Sequence, residues 1–382
     1  MRVEECSIND ALIISHSKQK SREGRGNEER VAELREYNEG LQSELELDHL
    51  IFGGIADYLL PSSILHTVSA LCTPIRFLTA CEVITKMAER SSSPRALGHP
   101  EVSEKDLSIV GLDLKVYGLD EIKDSKLPVA VLIATHGRTG NLKHMIPFAQ
   151  GVLGEVKGKE RKRDLIIVTL DQRNHGERIK DEQANLSFDE NPRHLIDMAA
   201  TTTGGYQDVT LIIDFLAAYL FPAGEKVIEE FIAAGISLGG YVTWLTLREE
   251  PRVKTGINIV GLPFEALHYV LGPRAESFGL SFAPPTYPHS IKSILQGPID
   301  LSSYKGKNIL TLHGKDDTLV PYAKGQETIE RIRDESGGNV EIWLQEETGH
   351  TCTPEMVRKT ADWIWRYSLS GEEKGSNKKS AL

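Results

Sequence analysis

Apolar residues fall along this chain in two alternating rhythms. Short, nearly continuous runs such as Val129 to Ala134 and Leu165 to Leu170 are separated by longer stretches in which apolar positions recur every three to four residues. Runs of the first kind fit strands buried on both faces, and stretches of the second kind fit amphipathic helices. Their alternation is the pattern of an α/β fold, a mainly parallel, doubly wound sheet. It predicts strands over 108–117, 128–135, 164–170, 230–236, 254–260, 307–313 and 339–345, and helices near 141–152, 206–220, 238–249, 322–335 and 354–368.

Outside 100–368 the rhythm changes. Residues 1–28 are polar and crowded with Lys18, Lys20, Arg22, Glu23 and Arg25; they bury too little apolar area to offset their ordering entropy, and a disordered tail is expected. Val31, Leu34, Leu41 and Leu45 then recur at helical spacing, which predicts a helical N-terminal extension over 29–95 that closes in the linker-like run from Ser91 to Pro100. Three roles are open to that extension: a cover on the active-site edge, a homodimer contact, or none. Inside the domain, residues 262–306 break the alternation. Pro263, Pro273, Pro284, Pro285, Pro288 and Pro298 punctuate a connection far longer than the usual 2–6 residues, so an inserted cap or lid is expected there. The charged, Ser- and Lys-rich residues 369–382 read as a second disordered tail.

Composition narrows the function. With 382 residues, 40% hydrophobic and 26% charged, the chain is close to an average globular protein, which excludes collagenous, wholly disordered and polytopic membrane classes. A net charge of −11 repels polyanions, so no nucleic-acid partner is expected. Cys6, Cys72, Cys81 and Cys352 contain no CxxC pair and suit neither a disulfide framework nor a zinc site. The acidic N-terminus lacks the features of a secretory signal, and a cytoplasmic location is expected. Tyr58 to Ile75 is uncharged but interrupted by Pro61, His66 and Pro74, short of the about 20 apolar residues of a membrane span.

The chemistry concentrates at Gly235-Ile-Ser237-Leu-Gly239, which follows an apolar run and opens a helical one. Strand, GxSxG and helix in that order form a nucleophile elbow, with Ser237 as the candidate nucleophile. A serine hydroxyl needs an imidazole to take its proton and a carboxylate to orient that imidazole. Downstream, one strand ends in a loop with Asp316 and Asp317, and the next is followed by His350. Loops after parallel strands gather on one edge, so these residues can meet. Alone, Asp317 also reads as a turn residue and His350 as a helix cap; the order Ser, Asp, His makes the set a catalytic triad. The N–H of Leu238, at the helix N-terminus, is the expected oxyanion donor. His136, His144, Arg173, His175 and His194 lack metal-ligand spacing, and neither metal nor cofactor is expected. His175 and Arg173 are read as supports of their own loop. Phe264, His268, Tyr269, Phe278, Phe282 and Tyr287 either line a pocket or pack the insertion.

From about 105 to 368 the chain resembles the α/β-hydrolase superfamily, and within it the prolyl-oligopeptidase-like and dienelactone-hydrolase-like serine esterases. Gly314-Lys-Asp-Asp317-Thr-Leu-Val-Pro321 is similar to the acid loop GxxDxxVP, which selects Asp317, and Gly349-His350 to the GH pair. Thr135-His136-Gly137-Arg138-Thr139-Gly140 resembles the HG loop, and Asp171-Gln-Arg-Asn-His175-Gly176-Glu-Arg178 the D-x-R-x-H-G loop. The resemblance implies that the backbone N–H of Arg138 is the second oxyanion donor; its side chain is either a solvated cation or a hold for a substrate carboxylate. It implies a serine hydrolase of a small-molecule carboxylic ester or thioester acting through an acyl-serine. A biosynthetic thioesterase or acyltransferase, and a non-catalytic ligand receptor, are the alternatives. Only a neutral imidazole accepts the seryl proton, so hydrolysis is expected to fall on acidification.

Overall fold

The computed structural model describes residues 93–297 and 299–370. The expected tail 1–28, nearly all of the 29–95 extension and the chain beyond 370 lie outside the described residues. Eight strands form one sheet: β1 (Glu104–Ile109), β2 (Leu112–Tyr117), β3 (Val129–Thr135), β4 (Asp164–Leu170), β5 (Ile228–Ile236), β6 (Val253–Ile259), β7 (Asn308–Gly314) and β8 (Asn339–Gln345). Their order is β1-β2-β4-β3-β5-β6-β7-β8. β2 runs antiparallel to both β1 and β4, and every other pair is parallel. The main helices are α1 (Ile146–Val156), α2 (His194–Leu220), α3 (Leu238–Glu249), α4 (Leu267–Ser277), α5 (His289–Leu295), α6 (Gln326–Glu335) and α7 (Pro354–Ile364).

The strand period of two divides the core. Val129, Val131 and Ile133 join one apolar cluster with residues of α2, α3 and α6, while Ala130, Leu132 and Ala134 join another with residues of α1 and α7. Both faces of β3 are therefore buried, as its unbroken apolar sequence requires. α7 starts sharply because Pro354 occupies its first turn and the Thr353 hydroxyl accepts the N–H of Met356 at 3.2 Å, a standard N-cap.

Two differences from the sequence reading have physical causes. The expected strand 108–117 is a hairpin, split at Val110 and Gly111, both with positive φ (48° and 79°). A two-residue loop of this kind needs left-handed backbone at both positions, and the β-branched Val110 disguises it. α2 begins at His194, twelve residues before the expected start. Thr202 and Thr203 donate their hydroxyls to the carbonyls of Met198 and Ala199 at 2.8 and 2.9 Å, which satisfies within the helix groups that otherwise disfavour it. At Gly205, a Cβ would lie 2.7 Å from Val242 of α3, so the glycine that weakens the helical signal permits the close helix contact. The Pro-rich insertion between β6 and β7 carries α4 and α5, and Leu262, Phe264, Leu267, Leu271, Tyr287 and Leu295 enter the core from it.

β3 lies between β4 and β5, so the chain leaves it toward one side and later returns to the other. The loops after β3 and β5 meet at this switch point, where α/β sheets place their sites.

Candidate active site

Ser237 links β5 to α3 with φ 57° and ψ −112°, a backbone conformation that non-glycine residues seldom adopt. Its N–H donates to Ile259 O at 2.8 Å and the N–H of Gly239 to His136 O at 3.1 Å, so the turn is held from two strands. A Cβ on Gly235 would sit 2.0 Å from Gly239 O, and one on Gly239 2.3 Å from Thr135 O. Glycine is thus required sterically at both flanks. Gly239→Ala is expected to cost about 2–3 kcal/mol, read as a lower denaturant midpoint at unchanged slope; an unaltered midpoint would contradict this packing.

The structure brings Ser237, His350 and Asp317 together. His350 Nε2 lies 2.8 Å from Ser237 Oγ, and His350 Nδ1 lies 2.7 Å from Asp317 Oδ2. Asp317 Oδ1 accepts the N–H groups of Leu319 and Val320 at 2.9 and 2.8 Å. The Asp317 side chain is fully buried, whereas that of His350 keeps 19% exposure. Burial by itself raises the Asp317 pKa, but the bonds from His350, Val320 and Leu319 outweigh it and hold the carboxyl below its usual range. An ionised acceptor at this place fixes the proton on Nδ1 and leaves Nε2 free to accept from the hydroxyl. Asp316 is exposed and contributes only its N–H, to Thr348 O at 2.9 Å.

The HG loop borders the same hydroxyl: a Cβ on Gly137 would lie 3.5 Å from Ser237 Cβ. Buried His136 ties this loop down, with Nδ1 donating to Gly137 O at 2.8 Å and Nε2 accepting from Gln172 N at 3.1 Å. Burial pulls its pKa down to about 4, so the ring is neutral and serves as a brace. The next loop is held in turn by Asp171, whose oxygens accept the N–H groups of Leu142 and Glu177 at 2.7 and 2.9 Å. Arg173 and Arg178 share Asp208 at 3.1 and 2.7 Å, and His175 bonds Arg173 O at 2.9 Å. Neither Leu238 nor Arg138 donates its N–H to an acceptor among the described residues. Among those residues no group of three or more His, Cys, Asp or Glu side chains is placed to hold a metal ion.

Of the aromatic residues in the insertion, Phe264 and Tyr287 are buried while Tyr269 and Phe278 are 56% and 48% exposed. Phe282 stacks on Tyr287 at 4.4 Å. Sequence reasoning missed Arg274 of α4, whose guanidinium donates to Leu319 O beside the acid loop. No motif surrounds it, and only the fold brings it there. It also missed that His194 is buried at the start of α2, because that helix was expected to begin later.

No protein-family model matches the chain, and no curated protein matches it. Solved structures do. The Thermus thermophilus protein TT1662 is 23% identical with a TM-score of 0.53, over 70% of this chain and 98% of that one. The acylaminoacyl peptidase of Pyrococcus horikoshii is 17% identical with a TM-score of 0.50, over 72% of this chain and 43% of the peptidase. No helix among the described residues is long and apolar enough to cross a membrane. Strand order, the elbow after β5 and these structural likenesses agree on the architecture: the chain has the α/β-hydrolase fold.

Proposed function

We propose that the protein is a serine hydrolase that cleaves small carboxylic esters through an acyl-Ser237 intermediate. The single observation that carries this reading is the unbroken hydrogen-bonded line from Asp317 through His350 to Ser237, at 2.7 and 2.8 Å. Ser237 Oγ attacks the ester carbonyl as its proton passes to His350 Nε2, and the negative charge forming on the carbonyl oxygen meets the N–H groups of Leu238 and Arg138. His350 then gives the proton to the departing alcohol. Water, deprotonated by the same ring, attacks the acyl-enzyme and restores the serine. Asp317 stabilises the imidazolium formed in each half of the cycle. The strained backbone at 237 supports the reading, because strain of this kind persists where surrounding structure enforces it and projects the hydroxyl from the turn.

A fluorophosphonate probe tests the nucleophile, and a series of nitrophenyl esters of increasing chain length, run beside a thioester, tests the bond. Labelling confined to the peptide that contains Ser237 is the expected result. Well-folded protein that takes no label would overturn the proposal, and faster turnover of the thioester would replace ester by thioester in it.

A further inference from the structure

Arginines that serve the architecture here find acids: Arg173 and Arg178 share Asp208, and Arg248 pairs with Glu265. Two at the candidate site do not. Arg138 leaves the HG loop beside Ser237 and donates one Nη to Asn185 O at 2.7 Å. Arg274 enters from α4 and donates one Nη to Leu319 O, two residues from Asp317. Neither forms an ion pair within 4.0 Å of a carboxylate among the described residues. Each bond to a carbonyl fixes a guanidinium in place and leaves further N–H groups unused.

The charge of Arg274 also reaches Arg138. α4 packs against α2, and His194, first residue of α2, lies in the field of both guanidiniums. Burial, then the charges of Arg138 and Arg274, pull His194 down to about 3, so it adds no positive charge. Both arginines are half-buried, and burial followed by the nearby Arg274 lowers the pKa of Arg138. Burial likewise lowers that of Arg274, against the opposing influence of Tyr241 and then of Asp317. Asp189 reaches Arg138 only through space, and Asp317 has both oxygens occupied by His350, Leu319 and Val320. Two immobilised, half-desolvated like charges are costly unless an anion completes them, and a carboxylate matches the fork of a guanidinium.

We infer that Arg138 and Arg274 form an anion subsite beside Ser237, and that the ester cleaved carries a carboxylate within reach of its scissile bond. This rests on the acyl-serine reading above, and the test separates the two. Mono-4-nitrophenyl glutarate is compared with the neutral 4-nitrophenyl valerate. The wild type is expected to favour the anionic ester at least about tenfold in kcat/KM, a preference that shrinks as salt rises. Arg274→Gln and Arg138→Gln are each expected to lower the anionic-to-neutral ratio about 10- to 100-fold, mainly through KM, because charged hydrogen bonds to a carboxylate are at stake. Arg274→Lys is expected to recover part of the ratio, which a merely structural role would not produce. A wild-type ratio near one, or a ratio unmoved in both glutamine variants, overturns the inference. Thermal stabilisation of the Ser237→Ala protein by glutarate, lost in Ser237→Ala/Arg274→Gln, supplies a readout free of turnover. Phosphonate labelling without glutarate stabilisation or ester preference removes the subsite and leaves the hydrolase; glutarate stabilisation without labelling does the reverse.

Discussion

Ester turnover by Ser237→Ala is expected to fall by about 10⁴–10⁶ in kcat, with KM little changed. The substitution removes one oxygen, the atom 2.8 Å from His350 Nε2, and leaves the proposed oxyanion donors intact. Substrate therefore still binds, and a small residual acceleration over water remains from the N–H groups of Leu238 and Arg138. A burst of nitrophenol stoichiometric with enzyme, seen in the wild type when deacylation is slow, is expected to disappear with the hydroxyl. Turnover above a few per cent of wild type, free of contaminating esterase, would place the nucleophile elsewhere and leave the elbow as architecture only.

The second large effect is expected at Asp317→Asn, about 10⁴ in kcat. The amide oxygen can still accept from Leu319 and Val320, now bonded at 2.9 and 2.8 Å, so the loop should keep its shape. What changes is the group facing His350 Nδ1: an N–H donor in place of an anionic acceptor drives the imidazole proton to Nε2, where it cannot receive another from Ser237. Asp316→Asn is the control, since Asp316 is exposed and outside the hydrogen-bonded line; equal losses in the two variants would refute the assignment. A pH signature accompanies this. The Asp317 pKa is lowered in the folded protein, below the about 3.9 of an unfolded chain. Its stabilising contribution is therefore complete above that value and lost as pH falls through the folded pKa. The stability gap between wild type and Asp317→Asn is expected to narrow below about pH 4, measured by chemical denaturation.

The legible parts of this molecule are those in which a local pattern and a global requirement coincide. β3 and β4 are readable because burial on both faces demands the nearly unbroken apolar runs from Val129 to Ala134 and from Leu165 to Val168. Ser237 is readable because a strand-to-helix turn this tight admits only glycine at 235 and 239. Asp317 over Asp316 is different: in the sequence nothing but the resemblance to GxxDxxVP prefers one of two adjacent acids, and the physical reason lies in the loop's backbone, which offers its N–H groups to Asp317. The early start of α2 and the hairpin at Val110 were hidden because tertiary contacts there override residue preference. Arg274 was invisible for a stronger reason, since its meaning depends on a partner 136 positions earlier that no local spacing announces.

The proposed hydrolytic set hangs on the ends of β3, β5, β7 and β8, whereas Arg274 belongs to the segment spliced between β6 and β7. On the proposed reading, bond breaking is housed on the strand ends, while choice of reactant is shared between Arg138 after β3 and Arg274 of the spliced segment. A graft that replaces the exposed parts of that segment while keeping its anchors Phe264, Leu267 and Tyr287, all inside the core, offers a direct way to breed new selectivity onto an untouched catalytic engine.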